Sequence, residues 1–212
     1  MRVCLASTSP ARLMLLRQAG IEPLTLSPDV DEDAVAAASA EDRGTELLPG
    51  ELVLLLARAK AADVARRLAD EGEFDGLVIG GDSMFALGGR VYGKPYTPEE
   101  ATRRWREMRG ATGVLHSGHS VFRVSPGVAP LEATAVASAS VTFADDISDA
   151  EIAAYVASGE PLHVAGAFTV DSLGGAFITR VDGDPSTVVG MSLSAIRRLA
   201  GELGVRWTDL WS

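Results

Sequence analysis

Cysteine is almost absent: Cys4 is the single one in 212 residues. No disulfide can form within the chain, which suits a reducing cytoplasm. A lone cysteine inside an apolar run reads as a small buried hydrophobe. Long apolar runs are missing too, and without a stretch of about 18 uncharged apolar residues a helical membrane span is not expected. The opening MRVCLASTSP carries an apolar run too short for a signal-peptide core and leads straight into a polar turn, so Arg2–Ala6 reads as a first strand. Positive charge is scarce, with 19 Lys and Arg against 29 Asp and Glu for a formal net charge of −10. Such a surface repels polyanions, so general nucleic-acid binding is not expected. A small phosphorylated ligand is still allowed, because a few cations in one cleft and a bridging metal can reverse the local field. A zinc set is also lacking. His116 and His119 stand three apart, where strand residues face opposite sides, and no Cys or further His completes a site with them. No internal repeat or domain linker is visible.

What is present has a globular balance, 47% apolar and 23% charged. The length suits one domain over residues 1–212, or two small lobes sharing a core. The pattern alternates strand and helix. Ser9-Pro10 supplies an N-cap and an N1 proline for a helix to Ala19, with Gly20 as its stop. Glu22–Leu26 reads as a strand, Ala34–Ala40 as a mobile loop between acidic clusters, and Gly50–Asp70 as a long helix. Leu77–Ile79 is a strand, and Phe85–Leu87 pairs with Arg90–Tyr92 around Gly88-Gly89. Thr97–Glu100 and Ser148–Glu151 are capping boxes that open helices. Val114–Val124 and Leu131–Phe143 read as long antiparallel strands joined by a turn at Ser125–Pro130. A strand over Ala176–Val181 and a helix over Leu193–Leu203 complete an α/β fold with a mixed sheet.

Five segments carry residue types suited to phosphate chemistry. In Ser7-Thr8-Ser9-Pro10-Ala11-Arg12 a strand ends in hydroxyls and a helix begins with an arginine in its first turn. Helix N-termini present free N–H groups and partial positive charge, so Ser7 and Arg12 are candidate phosphate ligands. Ser9 capping its helix is compatible with that role. Lys60 shares a helical stripe with Val53, Leu56, Ala57, Val64 and Leu68, where a charge needs a partner unless it snorkels from the edge. Asp82 follows the apolar run Leu77–Ile79 and two glycines, and reads as a metal ligand or general base at a strand end, or as a turn residue. Lys94 lies between Gly93 and Pro95, held by a stiff backbone or simply solvated. Asp31-Glu32-Asp33 offers hard-cation ligands or an acidic loop that only solvates. Asp182–Pro185 is most simply a turn.

Together and in this order the segments resemble the Maf family of nucleotide pyrophosphatases. LASTSPAR resembles L-A-S-x-S-P-R-R, DVDED the V-D-E segment, LARAKA the L-A-x-x-K-A segment and IGGDSM the G-A-D-T segment. YGKP matches G-K-P. HSGHSV, EPLHVAGAF and DPSTVVGMSL resemble H-T-G, P-x-x-x-A-G-x-Y/F and Y-S-N-V-V-G-L-P-L. The matches run in register over nearly the whole chain. The resemblance implies an elongated, two-lobed mixed sheet flanked by helices around a deep groove, related to the inosine triphosphate pyrophosphatase arrangement. It implies hydrolysis of a nucleoside triphosphate between the α- and β-phosphates with a divalent metal, Mg or Mn. Carried over by motif, Ser7 and Arg12 would hold phosphate, Lys60 and Lys94 would neutralise the triphosphate, Glu32 and Asp82 would bind metal, and Asp82 would accept the proton of the attacking water.

Departures are few. Ala11 stands where the family often has the first of two arginines, and Gly81 and Ser83 replace the Ala and Thr beside the aspartate. Asp171 stands where one branch has Gln and the 7-methyl-GTP branch has Glu. Position 11 and the PLH before Ala165-Gly166 resemble that second branch. The expectation is a cytoplasmic pyrophosphatase for non-canonical or modified nucleotides, with Asp171 facing the base and no membrane or nucleic-acid partner. A homodimer is compatible with the pattern. A narrow 7-methyl-GTP pyrophosphatase and a non-catalytic, nucleotide-binding regulator of cell division or septum formation are the alternatives.

Overall fold

The structure, a computed structural model, describes residues Met1–Ser212. Seven strands form one mixed sheet: β1 (Arg2–Ala6), β2 (Leu24–Thr25), β3 (Gly76–Leu87), β4 (Arg90–Tyr92), β5 (Thr112–Ser125), β6 (Val128–Phe143) and β7 (Ile178–Asp182). Their order is β2-β1-β3-β5-β6-β7, with β4 pairing to β3. The α-helices are α1 (Pro10–Gln18), α2 (Glu32–Arg43), α3 (Pro49–Glu71), α4 (Pro98–Met108), α5 (Asp149–Ala157), α6 (Pro185–Val189) and α7 (Leu193–Glu202). No helix is long and apolar enough to cross a membrane.

The chain packs as two compact units. The first comprises Met1–Asp82, Ser117–Ala137 and Gly190–Ser212, and the second Ser83–His116 and Ser138–Val189. In the first, β1 pairs in parallel with β2 on one side and with β3 on the other. The chain therefore reverses its winding direction at β1, and in α/β sheets ligands gather at the carboxyl ends of strands beside such a switch. Cys4, Ala6, Val64, Ala65, Leu68, Phe74, Val78 and Val124 form an apolar core there. Cys4 is fully buried, and burial pushes its thiol up to about 11. In the second unit α4 and α5 enclose an aromatic core. Trp105 meets Phe143, Tyr155 and Phe177 edge-on, with ring centroids 5.0–5.6 Å apart.

Four elements depart from the sequence expectation. Ala34–Ala40 is not a loop but the body of α2. Asp31 caps that helix by accepting from the N–H of Ala34 at 3.0 Å. Glu32 and Asp33 stand in the first turn, and Gly44 closes the far end in the left-handed conformation. Acid-rich and Ala-rich sequence here is helix chemistry rather than loop chemistry. The strand expected over Glu22–Leu26 shrinks to Leu24–Thr25. The strand through Leu77–Ile79 does not stop at the glycines but continues to Leu87, so Asp82 lies within it. Glu100 does not complete its capping box. Thr97 accepts from the N–H of Glu100 at 3.3 Å, but the Glu100 carboxylate is drawn to Arg103 and Arg104, each at 2.7 Å. At Ser148 and Glu151 the reciprocal box forms as expected.

Candidate active site

Five of the seven candidate residues gather in the first unit. The register of β1 on β3 aligns Ala6 with Gly80. The turn leaving β1 at Ser7 therefore runs beside Gly81 and Asp82. Ser7 Oγ accepts from the Ser9 N–H at 3.1 Å and from Arg12 Nη1 at 3.3 Å, while Arg12 Nε donates to the carbonyl of Gly190 at 2.9 Å. Burial pulls the Arg12 guanidinium below its ordinary value, and the negative charges of Asp82 and Glu32 oppose that pull. An arginine stays cationic through such a shift.

Lys60 is placed by glycine. A Cβ on Gly80 would sit 2.6 Å from the carbonyl of Ala57 and 2.7 Å from Cβ of Ala61. Only a bare backbone lets α3 approach the sheet this closely. The stripe of Val53, Leu56, Ala57, Lys60, Val64 and Leu68 is buried as the periodicity implies. Gly81 has a second task, since a Cβ there would lie 3.3 Å from Arg12 Nε. Lys60 Nζ lies 2.8 Å from Asp82 Oδ1 and 2.8 Å from Glu32 Oε1. Ser7, Lys60 and Asp82 are 8%, 8% and 9% exposed, so these polar groups stand at the edge of the core and need each other. Lys60 is thus neither a snorkelling surface lysine nor a core defect. Of the acidic triplet, only Glu32 reaches this cluster, because Asp31 is committed to its cap.

A divalent cation fits the donor chemistry. Glu32 and Asp82 are hard oxygen ligands brought to a single ammonium. No group of three or more His, Cys, Asp or Glu side chains forms a cage. One or two carboxylates completed by water and substrate phosphates is how Mg²⁺ is usually held.

Lys94 and Asp171 belong to the second unit. Lys94 is exposed, and its backbone is fixed on both sides. The carbonyl of Gly93 accepts from the N–H of Gly166 at 3.3 Å and from Arg104, and Tyr96 donates its N–H to Leu162 O at 3.0 Å. Tyr96 is held at φ +63°, a backbone conformation that is uncommon outside glycine. Asp171 is exposed on the loop between the short helical turns Ala165–Ala167 and Leu173–Phe177.

Sequence reasoning missed three participants. The carbonyl of Gly190, a partner of Arg12, is a backbone group 178 positions away and carries no side-chain signal. His119 is fully buried and accepts from the N–H of Ser192 at 2.9 Å, fixing the N-cap of α7. Glu160 gathers hydrogen bonds from the loop that bears Asp171. The sequence around Glu160 carries no signal of this role, because its partners are hydroxyls and backbone N–H groups.

A family model described as Maf-like protein matches residues 2–203. The chain belongs to the Maf family. A relative from Leifsonia xyli called nucleoside triphosphate pyrophosphatase is 57% identical over 100% of this chain and 97% of its own. One from Nocardia farcinica with the same name is 50% identical over 98% of this chain and 95% of its own. Among solved structures, the Ham1 protein of Staphylococcus aureus aligns with a TM-score of 0.35 and 11% identity, over 68% of this chain and 73% of that one.

Proposed function

We infer that the protein is a nucleoside triphosphate pyrophosphatase, a hydrolase that splits NTP into NMP and diphosphate. The observation that carries this reading is the buried set of Lys60, Asp82 and Glu32 beside Ser7 and Arg12, in a Maf chain whose relatives bear that name. Two cations and two carboxylates meet there at the carboxyl end of β1. The chemistry is in-line attack of water on the α-phosphorus. The new P–O bond forms as the bond to the bridging oxygen breaks, and the electron pair leaves with diphosphate. Asp82 takes the proton of the attacking water. Ser7 and Arg12 hold phosphate at the start of α1, where free N–H groups add to the field. Lys60 exchanges a carboxylate partner for phosphate and stabilises the charge that develops. Mg²⁺ or Mn²⁺ held by Glu32 and Asp82 would neutralise phosphate charge as a Lewis acid. By the family resemblance, Lys94 would contribute positive charge to the triphosphate and Asp171 would read the base. Residues 1–212 act as one domain, in a reducing cytoplasm that suits the lone Cys4, with a homodimer as the assembly to test.

The test is product analysis with purified protein, NTP and Mg²⁺ or Mn²⁺. Equimolar NMP and diphosphate are expected. Release of inorganic phosphate with NDP, or no turnover of any NTP, would overturn the reading.

A further inference from the structure

Glu160 stands just past the end of α5 and takes hydrogen bonds from five donors. Tyr155 Oη donates to it at 2.9 Å, Ser172 Oγ at 2.7 Å, and the N–H groups of Leu173 and Gly174 at 3.2 and 3.0 Å. Thr169 Oγ1 is the fifth donor. These partners flank Asp171 on both sides. Thr169 lies two residues before it and Ser172–Gly174 directly after, so one carboxylate closes the segment 169–174 into an arch. The arch has no slack. A Cβ on Gly174 would fall 2.6 Å from Tyr155 Oη and 2.7 Å from the carbonyl of Thr169. Its footing is rigid as well, because Tyr155 packs edge-on against Trp105 and Phe177, with centroids 5.0 and 5.7 Å away. Trp105 in turn donates to the carbonyl of Ala167 at 2.7 Å. Asp171 is left exposed at the crown of this arch.

We propose that Glu160 is a positioning residue for base selection, fixing through its five hydrogen bonds the arch from which Asp171 meets the nucleobase. The inference rests on Asp171 reading the base. A side chain discriminates between rings only when it is held in place, since a group that drifts by an ångström satisfies right and wrong partners alike. Burial alone would raise the Glu160 carboxyl, yet hydrogen bonds from Thr169, Ser172, Gly174 and Tyr155 outweigh it and hold the group at about 2. It is therefore an ionised, acceptor-only hub at neutral pH. Glutamine keeps its size but sets an NH₂ against a backbone N–H whichever way it turns, since Gly174 donates to one carboxylate oxygen and Leu173 to the other.

The experiment compares kcat/KM for GTP and UTP in wild type, Glu160→Gln, Asp171→Asn and the double variant. An ionised Asp171 matches the adjacent N1–H and N2 donors of guanine and is repelled by the uracil carbonyls. The expected wild-type preference for GTP is about tenfold. Glu160→Gln and Asp171→Asn should each bring the ratio near one and the double variant no further, with saturated kcat for GTP changed less than about threefold in Glu160→Gln. If Glu160→Gln does not fold, Glu160→Asp keeps the charge one methylene short. It should lower the ratio while speeding amide exchange at Leu173 and Gly174. A wild-type ratio retained in the Glu160 variant, or equal loss for both nucleotides, overturns the proposal. Equal wild-type use of GTP and UTP, or an Asp171→Asn ratio unchanged from wild type, removes Asp171 as the reader and the proposal with it. Failure of every protein to release diphosphate would instead sink the enzymatic reading itself.

Discussion

Lys60 Nζ and Asp82 Oδ1 are 2.8 Å apart across the packed interface of α3 and β3, both side chains nearly buried. The pair has a third member, Glu32, whose Oε1 lies at the same distance from the ammonium. A buried charge pair is weak evidence for stability, because desolvation offsets much of the attraction. Its place beside the carboxyl end of the switch strand β1 suits binding or chemistry. Each member is separately testable.

Asp82→Asn is expected to lower kcat by about 10²-fold or more, as for loss of a base or metal ligand. Because Glu32 still pairs with Lys60, the fold should survive, with about 1–3 kcal/mol of stability lost. Steady-state kinetics beside a denaturant melt check both. A folded variant with wild-type kcat would reassign Asp82 to structure.

Lys60→Met removes the ammonium between two carboxylates and keeps the aliphatic stem. Loss of transition-state charge stabilisation predicts a fall in kcat/KM of about 10²–10³-fold. Stability should also fall, because Asp82 stays buried without its partner. Lys94→Met is the contrast. Lys94 is exposed, so its loss should change stability by no more than about 0.5 kcal/mol while still weakening turnover. Equal thermal losses in the two variants would contradict this assignment.

Removal of divalent metal should abolish turnover, and Mg²⁺ or Mn²⁺ should restore it. Two carboxylates on an acidic chain cannot by themselves hold the three phosphates of an anionic substrate. Full activity after exhaustive chelation would show that Lys60 and Arg12 suffice.

Acid stability offers a readout of Glu160 independent of catalysis. Its carboxyl is held at about 2 against an ordinary value of 4.5. The folded-state value is depressed, so the stabilisation is present above the unfolded value and is lost as pH falls from about 4.5 toward 2. Wild type minus Glu160→Gln stability, from denaturant melts across pH 2–6, should be largest at pH 6 and shrink through that window. Glu100, held at about 2 by Arg103 and Arg104, titrates in both proteins and cancels. A flat difference would mean that the five hydrogen bonds do not favour the ionised form.

The chain alone determined the alternation of strands and helices, the N-caps at Ser9 and Ser148, the buried face that includes Lys60, and the residue types suited to phosphate chemistry. These are local matters, set by side-chain periodicity and by which residues can satisfy a free N–H. The α2 helix was legible in principle, since Asp31 followed by acidic and alanine residues is an N-terminal signature; charge density masked it as a loop. Tertiary structure decided what periodicity cannot see. Whether β3 stops at Gly80-Gly81 depends on α3 packing on bare glycine backbone. That packing delivers Lys60 to Asp82, and the winding of the sheet adds Ser7 and Arg12 beside them. Glu160 was illegible for the same reason. Its donors are hydroxyls and backbone N–H groups that any sequence contains, and only the closing of the Thr169–Gly174 arch makes one carboxylate their common acceptor.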